Sequence, residues 1–411
     1  MKLYNSLSQQ IEPIEPGEEP LGIYTCGITP YDTTHLGHAF TYCSVDVLIR
    51  YLEYSGMPSH YVQNVTDIDD DMLRVAAEKE DDWKRLGDEW TGRFIEDMNG
   101  LNVRPPDEMP RASSAIPEIV EAVNTLVRAG HAYEADGSVY YDLESWPEYG
   151  NLSRLSPDEM LPIANERGNF PDDPNKHQPL DFVLWQAQGP GEPAWESPWG
   201  PGRPGWHIEC SIMAGRIGAT LDVHAGGGDL IFPHHESEIA QSEALNGAAL
   251  SRNWMHIAMV EHDGEKMSKS LGNMIYIHTL LDGWSPNGIR LYLASHHYRE
   301  VWSYSEDDLE TAANWADLLR RAVQEKFGSG KELETHELES DFVAAMENDL
   351  DSPQAIKVLL ALGQKIEGAD TEGRAVGAAQ DVLEELAGTL GLRLTPGPPL
   401  PSFVEGWQSH L

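Results

Sequence analysis

Cys26-Gly27-Ile28-Thr29-Pro30-Tyr31-Asp32-Thr33-Thr34-His35-Leu36-Gly37-His38 is the stretch that decides how the chain folds. The apolar run Leu21 to Tyr24 before it reads as a buried strand. Tyr42, Val45, Leu48, Ile49 and Leu52 after it recur at helical spacing. A cysteine, a turn and two histidines therefore sit where a strand hands over to a helix. Open α/β sheets bind nucleotides at such a junction, because free backbone N–H groups and the positive end of the helix dipole meet the ligand there. Gly37, between His35 and His38, has no Cβ and lets a flat ligand lie close, and both histidines can donate to phosphate oxygens.

A second motif completes the first. Lys266-Met267-Ser268-Lys269-Ser270 follows an expected hairpin at His262-Asp263-Gly264-Glu265. Two lysines on a loop suit the charge that builds on a leaving pyrophosphate during adenylate formation. Together the two motifs resemble the signature of class I aminoacyl-tRNA synthetases. That resemblance implies an α/β fold: a Rossmann-type catalytic domain, an inserted connective domain and a C-terminal helical bundle. It also implies that Gly27, Thr29, Gly37, Thr41 and Val260 border ATP or the adenylate, with His35, His38, Lys266 and Lys269 as catalytic residues.

The 411 residues suffice for two or three domains. Lys and Arg number 28 and Asp and Glu 68, a formal net charge of −40. Such acidity argues against a broad phosphate-binding face. A solvation strategy for high salt explains it equally well and says nothing of substrate. The three cysteines, Cys26, Cys43 and Cys210, are too few and too odd for a disulfide framework and suit a reducing cytoplasm. No leader and no membrane-length apolar run is visible, so a soluble cytoplasmic monomer is expected.

Residues 1–110 read as the first half of the catalytic domain. His60 to Val65 is a parallel strand, and Asn64 and Thr66 at its carboxyl end are candidates for touching an adenylate. Thr66 to Asp71 carries four aspartates; the acidic first turn of a helix is favoured there over a magnesium cage. Residues 111–195 form the insertion. Ile116 to Val127 is a helix, with Ser113 and Ser114 before it and Gly130 closing it, and Asp136-Gly137 turns a hairpin. Glu166-Arg167-Gly168-Asn169-Phe170-Pro171 reads from its residues as a surface loop.

Residues 196–290 return to the catalytic domain. Gly205-Trp206-His207-Ile208-Glu209-Cys210 gathers an indole, an imidazole and a thiol. Leu221 to His224 is a strand followed by Gly226-Gly227-Gly228-Asp229, where the backbone can approach a ligand and Asp229 can accept from ribose hydroxyls. Pro233 suits the first position of a helix on which His234 and Glu238 share a face. From 291 to 411 the chain is helical, with Ser305 and Asp308 as a capping box and then a Pro-rich tail.

Cys26, Cys210, His234 and Glu238 match the zinc ligands of cysteinyl-tRNA synthetase, and the resemblance covers almost the whole chain. It implies one zinc ion per chain, L-cysteine activated with ATP and Mg²⁺, and Trp206, Cys26 and the Gly227-Gly228-Asp229 loop around the amino acid and adenylate. Thiolates with imidazole select zinc. A soft metal separates cysteine from serine, where an apolar pocket separates near-isosteres by only ~1–3 kcal/mol. Cys43 is left to packing.

Two families share this chemistry and differ in the acceptor. The opening motif, the Glu166-Arg167-Gly168 stretch and the absence of a C-terminal anticodon reader resemble the mycothiol cysteine ligase, which acylates the amine of glucosaminyl-inositol. Glu238, His235 to Ser242 and Tyr304 to Leu309 resemble the tRNA synthetase. The acidity and the missing C-terminal domain together make glucosaminyl-inositol the expected acceptor, with tRNA(Cys) as the alternative. For the base of the transfer step Asp67, His207 and His224 are the candidates. A non-catalytic relative is disfavoured, because both motifs and all four metal ligands are intact.

Overall fold

In the computed structural model the Leu21–Ile28 run is a strand whose residues are all buried except Gly27. The description covers residues 1–395 apart from 16, 18, 19, 33, 268–270, 325–327 and 370–372. The strand lies between Ser59–Val65 on one side and Leu221–Gly227 on the other, and Ser251–Ile257 completes the sheet. All three pairings are parallel. Strands covered on both faces need continuous apolar sequence, as these have.

The chain leaves Leu21–Ile28 through the helix Leu36–Tyr54 and returns as Ser59–Val65. It leaves Leu221–Gly227 through Glu236–Asn246 and returns as Ser251–Ile257. The two units run in opposite directions across the sheet. The crevice where the strand order reverses therefore opens at the carboxyl ends of Leu21–Ile28 and Leu221–Gly227.

The Ile116–Ala129 helix ends on Gly130 in the left-handed conformation, as its sequence implies. Its N-terminus has no side-chain cap; Ser113 binds Asp67 instead, its N–H and hydroxyl donating at 2.9 and 2.6 Å. The Asp136-Gly137 hairpin forms, with both residues at positive φ. Its strands join Phe182–Ala187 and Gly202–Pro204 in a four-stranded antiparallel sheet. The hairpin between Val260–His262 and Glu265–Lys266 also forms.

Pro233 does not open a helix. It lies within a wide π-type turn, Ile231–His235, and the regular helix begins at Glu236. His234 and Glu238 still meet, His234 Nε2 lying 2.7 Å from Glu238 Oε1. Among the described residues, four helices, Glu306–Gln324, His336–Glu347, Ser352–Ala369 and Gly377–Thr389, follow the Trp302–Ser303 strand. Ser305 caps the first by accepting from Asp308 N–H at 3.3 Å. The second arm of the expected box is replaced: Ser305 N–H donates to Tyr292 Oη at 2.8 Å. Buried Leu309, Leu319, Phe342, Leu359, Leu362 and Leu383 share one core with the Leu36–Tyr54 helix. A second core joins Ile119, Val123, Tyr141 and Trp185 to Cys26, Cys210 and Trp254. The Pro-rich tail expected beyond residue 395 lies outside the described residues. No helix among those described is long and apolar enough to cross a membrane.

Candidate active site and metal cluster

A cavity of about 1150 Å³ occupies the crevice. Cys26, Gly27 and Thr29 reach it from the first strand, and His35, Gly37, His38 and Thr41 from the helix that follows. Trp206, Gly227, Asp229, Val260 and Lys266 close it from the second half. Residues far apart in sequence, which the motifs singled out separately, thus share one cavity.

Gly27 is required by close packing. A Cβ there would stand 1.6 Å from the Asn64 carbonyl oxygen. Gly27 N–H donates to Asn64 Oδ1 at 2.7 Å, and Asn64 Nδ2 donates to Cys210 Sγ at 3.4 Å. Asn64 and Thr66 are buried and do not line the cavity, so they do not stand where an adenylate would touch them. They brace its floor: Thr66 Oγ1 lies 3.1 Å from Thr29 Oγ1 and donates to the Ile28 carbonyl at 3.1 Å. Gly228 is likewise set back from the cavity, against the Ile257 carbonyl.

His35 caps the Leu36–Tyr54 helix, its Nδ1 accepting from His38 N–H at 3.3 Å. The two rings stack at 3.7 Å between centroids. Thr41 Oγ1 donates to the Gly37 carbonyl at 3.2 Å. Asp229 Oδ2 accepts from Arg167 Nη2 at 3.0 Å and lies 3.8 Å from Lys266 Nζ. The Glu166 to Phe170 stretch therefore borders the cavity and is no plain surface loop. Its local composition carried no sign of this, since the contact of Arg167 with Asp229 joins residues 62 positions apart. Lys269 lies outside the described residues.

Beside Trp206 the cavity floor gives way to a buried group of donors. Cys26 Sγ, Cys210 Sγ, a His234 ring nitrogen and a Glu238 carboxylate oxygen all lie within 4.8 Å of one another. Cys26 donates to Glu238 Oε1 at 3.3 Å. His234 Nε2 and Glu238 Oε2 make no well-directed hydrogen bond although both are buried. Orphaned buried polar atoms cost ~1–3 kcal/mol each unless something else satisfies them. Burial lifts the Glu238 carboxyl to about 8 and raises the Cys26 thiol. Burial also opposes a Cys210 thiolate, but hydrogen bonding from Cys26 and the neighbouring His234 outweigh it and bring that thiol to about 6. Two sulfurs, one imidazole and one carboxylate converging in a buried site fit a thiophilic dication.

The sequence did not reveal how many imidazoles surround this group. His224 Nε2 lies 3.3 Å from Glu238 Oε2 and 3.7 Å from Cys26 Sγ. His224 and His235, with Cys26 and Glu238, form a second close set of donors. Of the three candidates for a base, Asp67 is buried and held by Ser113, and His224 is buried against Trp254. Only His207 of the three lines the cavity. Cys43 is buried in the first core, where burial pushes its thiol up to about 11, as its assignment to packing requires.

Residues 11–314 match the class I (C) tRNA synthetase catalytic domain and residues 341–395 match the DALR domain. A cysteine--tRNA ligase of Shewanella sp. (strain MR-4) is 42% identical over 398 residues, covering 95% of this chain and 85% of the relative. One from Dehalococcoides mccartyi is 40% identical over 409 residues, covering 98% and 88%. Among solved structures, Mycobacterium tuberculosis methionyl-tRNA synthetase in complex with methionyl-adenylate is similar in fold, with a TM-score of 0.65 at 15% identity, covering 93% of this chain and 98% of that one. The curated relatives are named for tRNA, which turns the balance away from the sugar amine and toward the alternative acceptor. The protein is an ATP-dependent, AMP-forming ligase. With a class I catalytic domain over most of its length and such relatives along nearly all of it, the chain belongs to the cysteine--tRNA ligase family.

Proposed function

We propose that this chain is a zinc-dependent cysteine--tRNA ligase, and that the observation carrying this reading is the buried Cys26, Cys210, His234 and Glu238 cluster opening onto the nucleotide cavity. In the first step a carboxylate oxygen of cysteine attacks the α-phosphorus of ATP, and pyrophosphate leaves with Mg²⁺. In the second a ribose hydroxyl of the terminal tRNA nucleotide attacks the acyl carbon, and AMP leaves. His35, Gly37 and His38 hold the phosphates at the helix N-terminus. Asp229 accepts from the ribose, and Lys266 faces the charge that develops on pyrophosphate. Trp206 walls the amino-acid end. A zinc ion held by the four donors supplies a soft Lewis acid that favours a thiol over a hydroxyl and lowers the thiol's pKa.

The division into catalytic halves at 1–110 and 196–290, an insertion at 111–195 and a helical region from 291 belongs to the same reading. The three free cysteines are all buried, which suits a reducing cytoplasm. Net charge does not oppose an RNA acceptor. It is a whole-molecule sum, and screening over about 8 Å at physiological ionic strength makes the local surface decisive.

The test is transfer of labelled cysteine, with ATP, to total tRNA and to glucosaminyl-inositol in parallel. Label on tRNA alone is expected. Label in a small amide with none on tRNA would overturn the acceptor while leaving cysteine activation standing. Absence of cysteine-dependent pyrophosphate exchange would overturn both.

A further inference from the structure

His207 and His234 meet ring to ring beside the cavity, their Nδ1 atoms 2.8 Å apart. Two imidazole nitrogens at that distance share one hydrogen: one ring donates and the other accepts. Which ring donates fixes what the two far nitrogens carry. On one side, His234 Nε2 faces Glu238 Oε1 and the rest of the donor cluster. On the other, the His207 ring lines the cavity, and its side chain makes no second hydrogen bond among the described residues. The pair is clamped by aromatic rings. Trp206 stacks on His234 at 4.1 Å, and Phe182 meets His207 edge-on at 5.5 Å.

A cation on His234 Nε2 needs a lone pair there. The His234 hydrogen must then sit on Nδ1 and be donated to His207 Nδ1. A neutral His207 consequently carries its own hydrogen on Nε2. In the opposite arrangement His234 Nε2 would bear hydrogen toward Glu238, and His207 would offer the cavity only an acceptor. We infer that His207 is a positioning residue: it holds the ring and tautomer of His234 for the cation, and the same relay presents an N–H donor to the amino-acid end of the cavity. That donor suits a carboxylate or acyl oxygen of the substrate. Outer partners of metal-bound histidines commonly act this way. The inference rests on the zinc reading above and adds a residue to it.

The experiment compares the full chain with His207→Leu and His207→Gln, each loaded with zinc or with cobalt(II). The glutamine amide can accept from His234 N–H and donate with its NH₂, whereas leucine does neither. His207→Leu is expected to weaken metal retention against a chelator by about 10- to 100-fold. It is also expected to shift the cobalt absorption bands and to raise the KM for cysteine, with the KM for ATP unchanged. His207→Gln is expected to restore metal retention to within about threefold of the parent, a rescue that packing alone would not produce. If His207→Leu does not fold, His207→Asn, whose shorter amide does not span the contact, replaces it. Equal metal retention in the parent and the leucine or asparagine variant overturns the inference and leaves the zinc reading intact. So does a glutamine variant no better than leucine at equal thermal stability. A parent chain that retains neither zinc nor cobalt overturns the zinc reading, and this inference with it.

Discussion

At the scale of the single residue, Gly27 and Cys210 show two different demands made on one floor. Gly27 exists because the Asn64 carbonyl on the neighbouring strand packs directly against it, so Gly27→Ala must displace the strand. A loss of ~3 kcal/mol, the upper end for overpacking an interior, is expected as a lowered urea midpoint at unchanged slope. An unshifted midpoint would mean that the two strands separate without cost. Cys210 makes a chemical demand. Cys210→Ala removes one sulfur from four donors and is expected to lower zinc affinity by at least about 100-fold, more than loss of an outer partner usually costs. Dialysis followed by metal analysis reads this directly. Full zinc content with an unchanged KM for cysteine would defeat the ligand assignment.

At the scale of elements, the C-terminal helices are fastened to the Leu36–Tyr54 helix by a buried cation. Arg290, on the Pro286–Ala294 helix, donates through Nε to the Leu390 carbonyl at 2.7 Å and through Nη1 to the Leu101 carbonyl at 3.0 Å. Its Nη2 reaches Asp46 on the Leu36–Tyr54 helix at 2.5 Å. Burial opposes charge on Asp46, but Arg290 and Arg50 outweigh it and hold the carboxyl below its usual range. A depressed carboxylate contributes stability above its unfolded pKa and loses it as acid protonates the folded form. Arg290→Met leaves that carboxylate with Arg50 and the Arg104 N–H and is expected to cost about 3 kcal/mol at pH 7, the lower end for breaking a buried pair. The gap to the parent should narrow on acidification. A gap that widens as pH falls would contradict the assignment to Asp46.

At the scale of the whole molecule, the imidazoles of His207, His224, His234, His235 and His256 crowd one region. Burial lowers His256 to about 3, and it holds His207, His224 and His235 well below the ordinary imidazole value. An unfolded chain gains protons on these groups near pH 6.5 while the folded chain does not. The contribution of these four imidazoles to stability is therefore complete above about pH 6.5 and is lost as pH drops toward 3. Melting temperatures between pH 7.5 and 5 should decline, and His256→Asn should flatten the decline. A profile as steep in that variant would locate the dependence elsewhere.

The local motifs of the chain determined much by themselves. Strand, turn and helix around Cys26 to His38, the glycine stop at Gly130, the Asp136-Gly137 hairpin and the hairpin before Met267 all follow from short-range patterns, because backbone preferences act over a few residues. His234 and Glu238 could be paired from their spacing even though the π-type turn around Pro233 displaced the helix start. Only the tertiary structure decided which residues border the cavity and which support it. Asn64 and Thr66 sit at the expected strand end, yet they turn under Gly27 and Thr29, because parallel pairing sets their depth in the sheet. Arg167 reaches Asp229 across 62 positions of sequence, and His207 reaches His234 across 27. Contacts of that range depend on how sheets and helices stack, and no local pattern encodes that stacking.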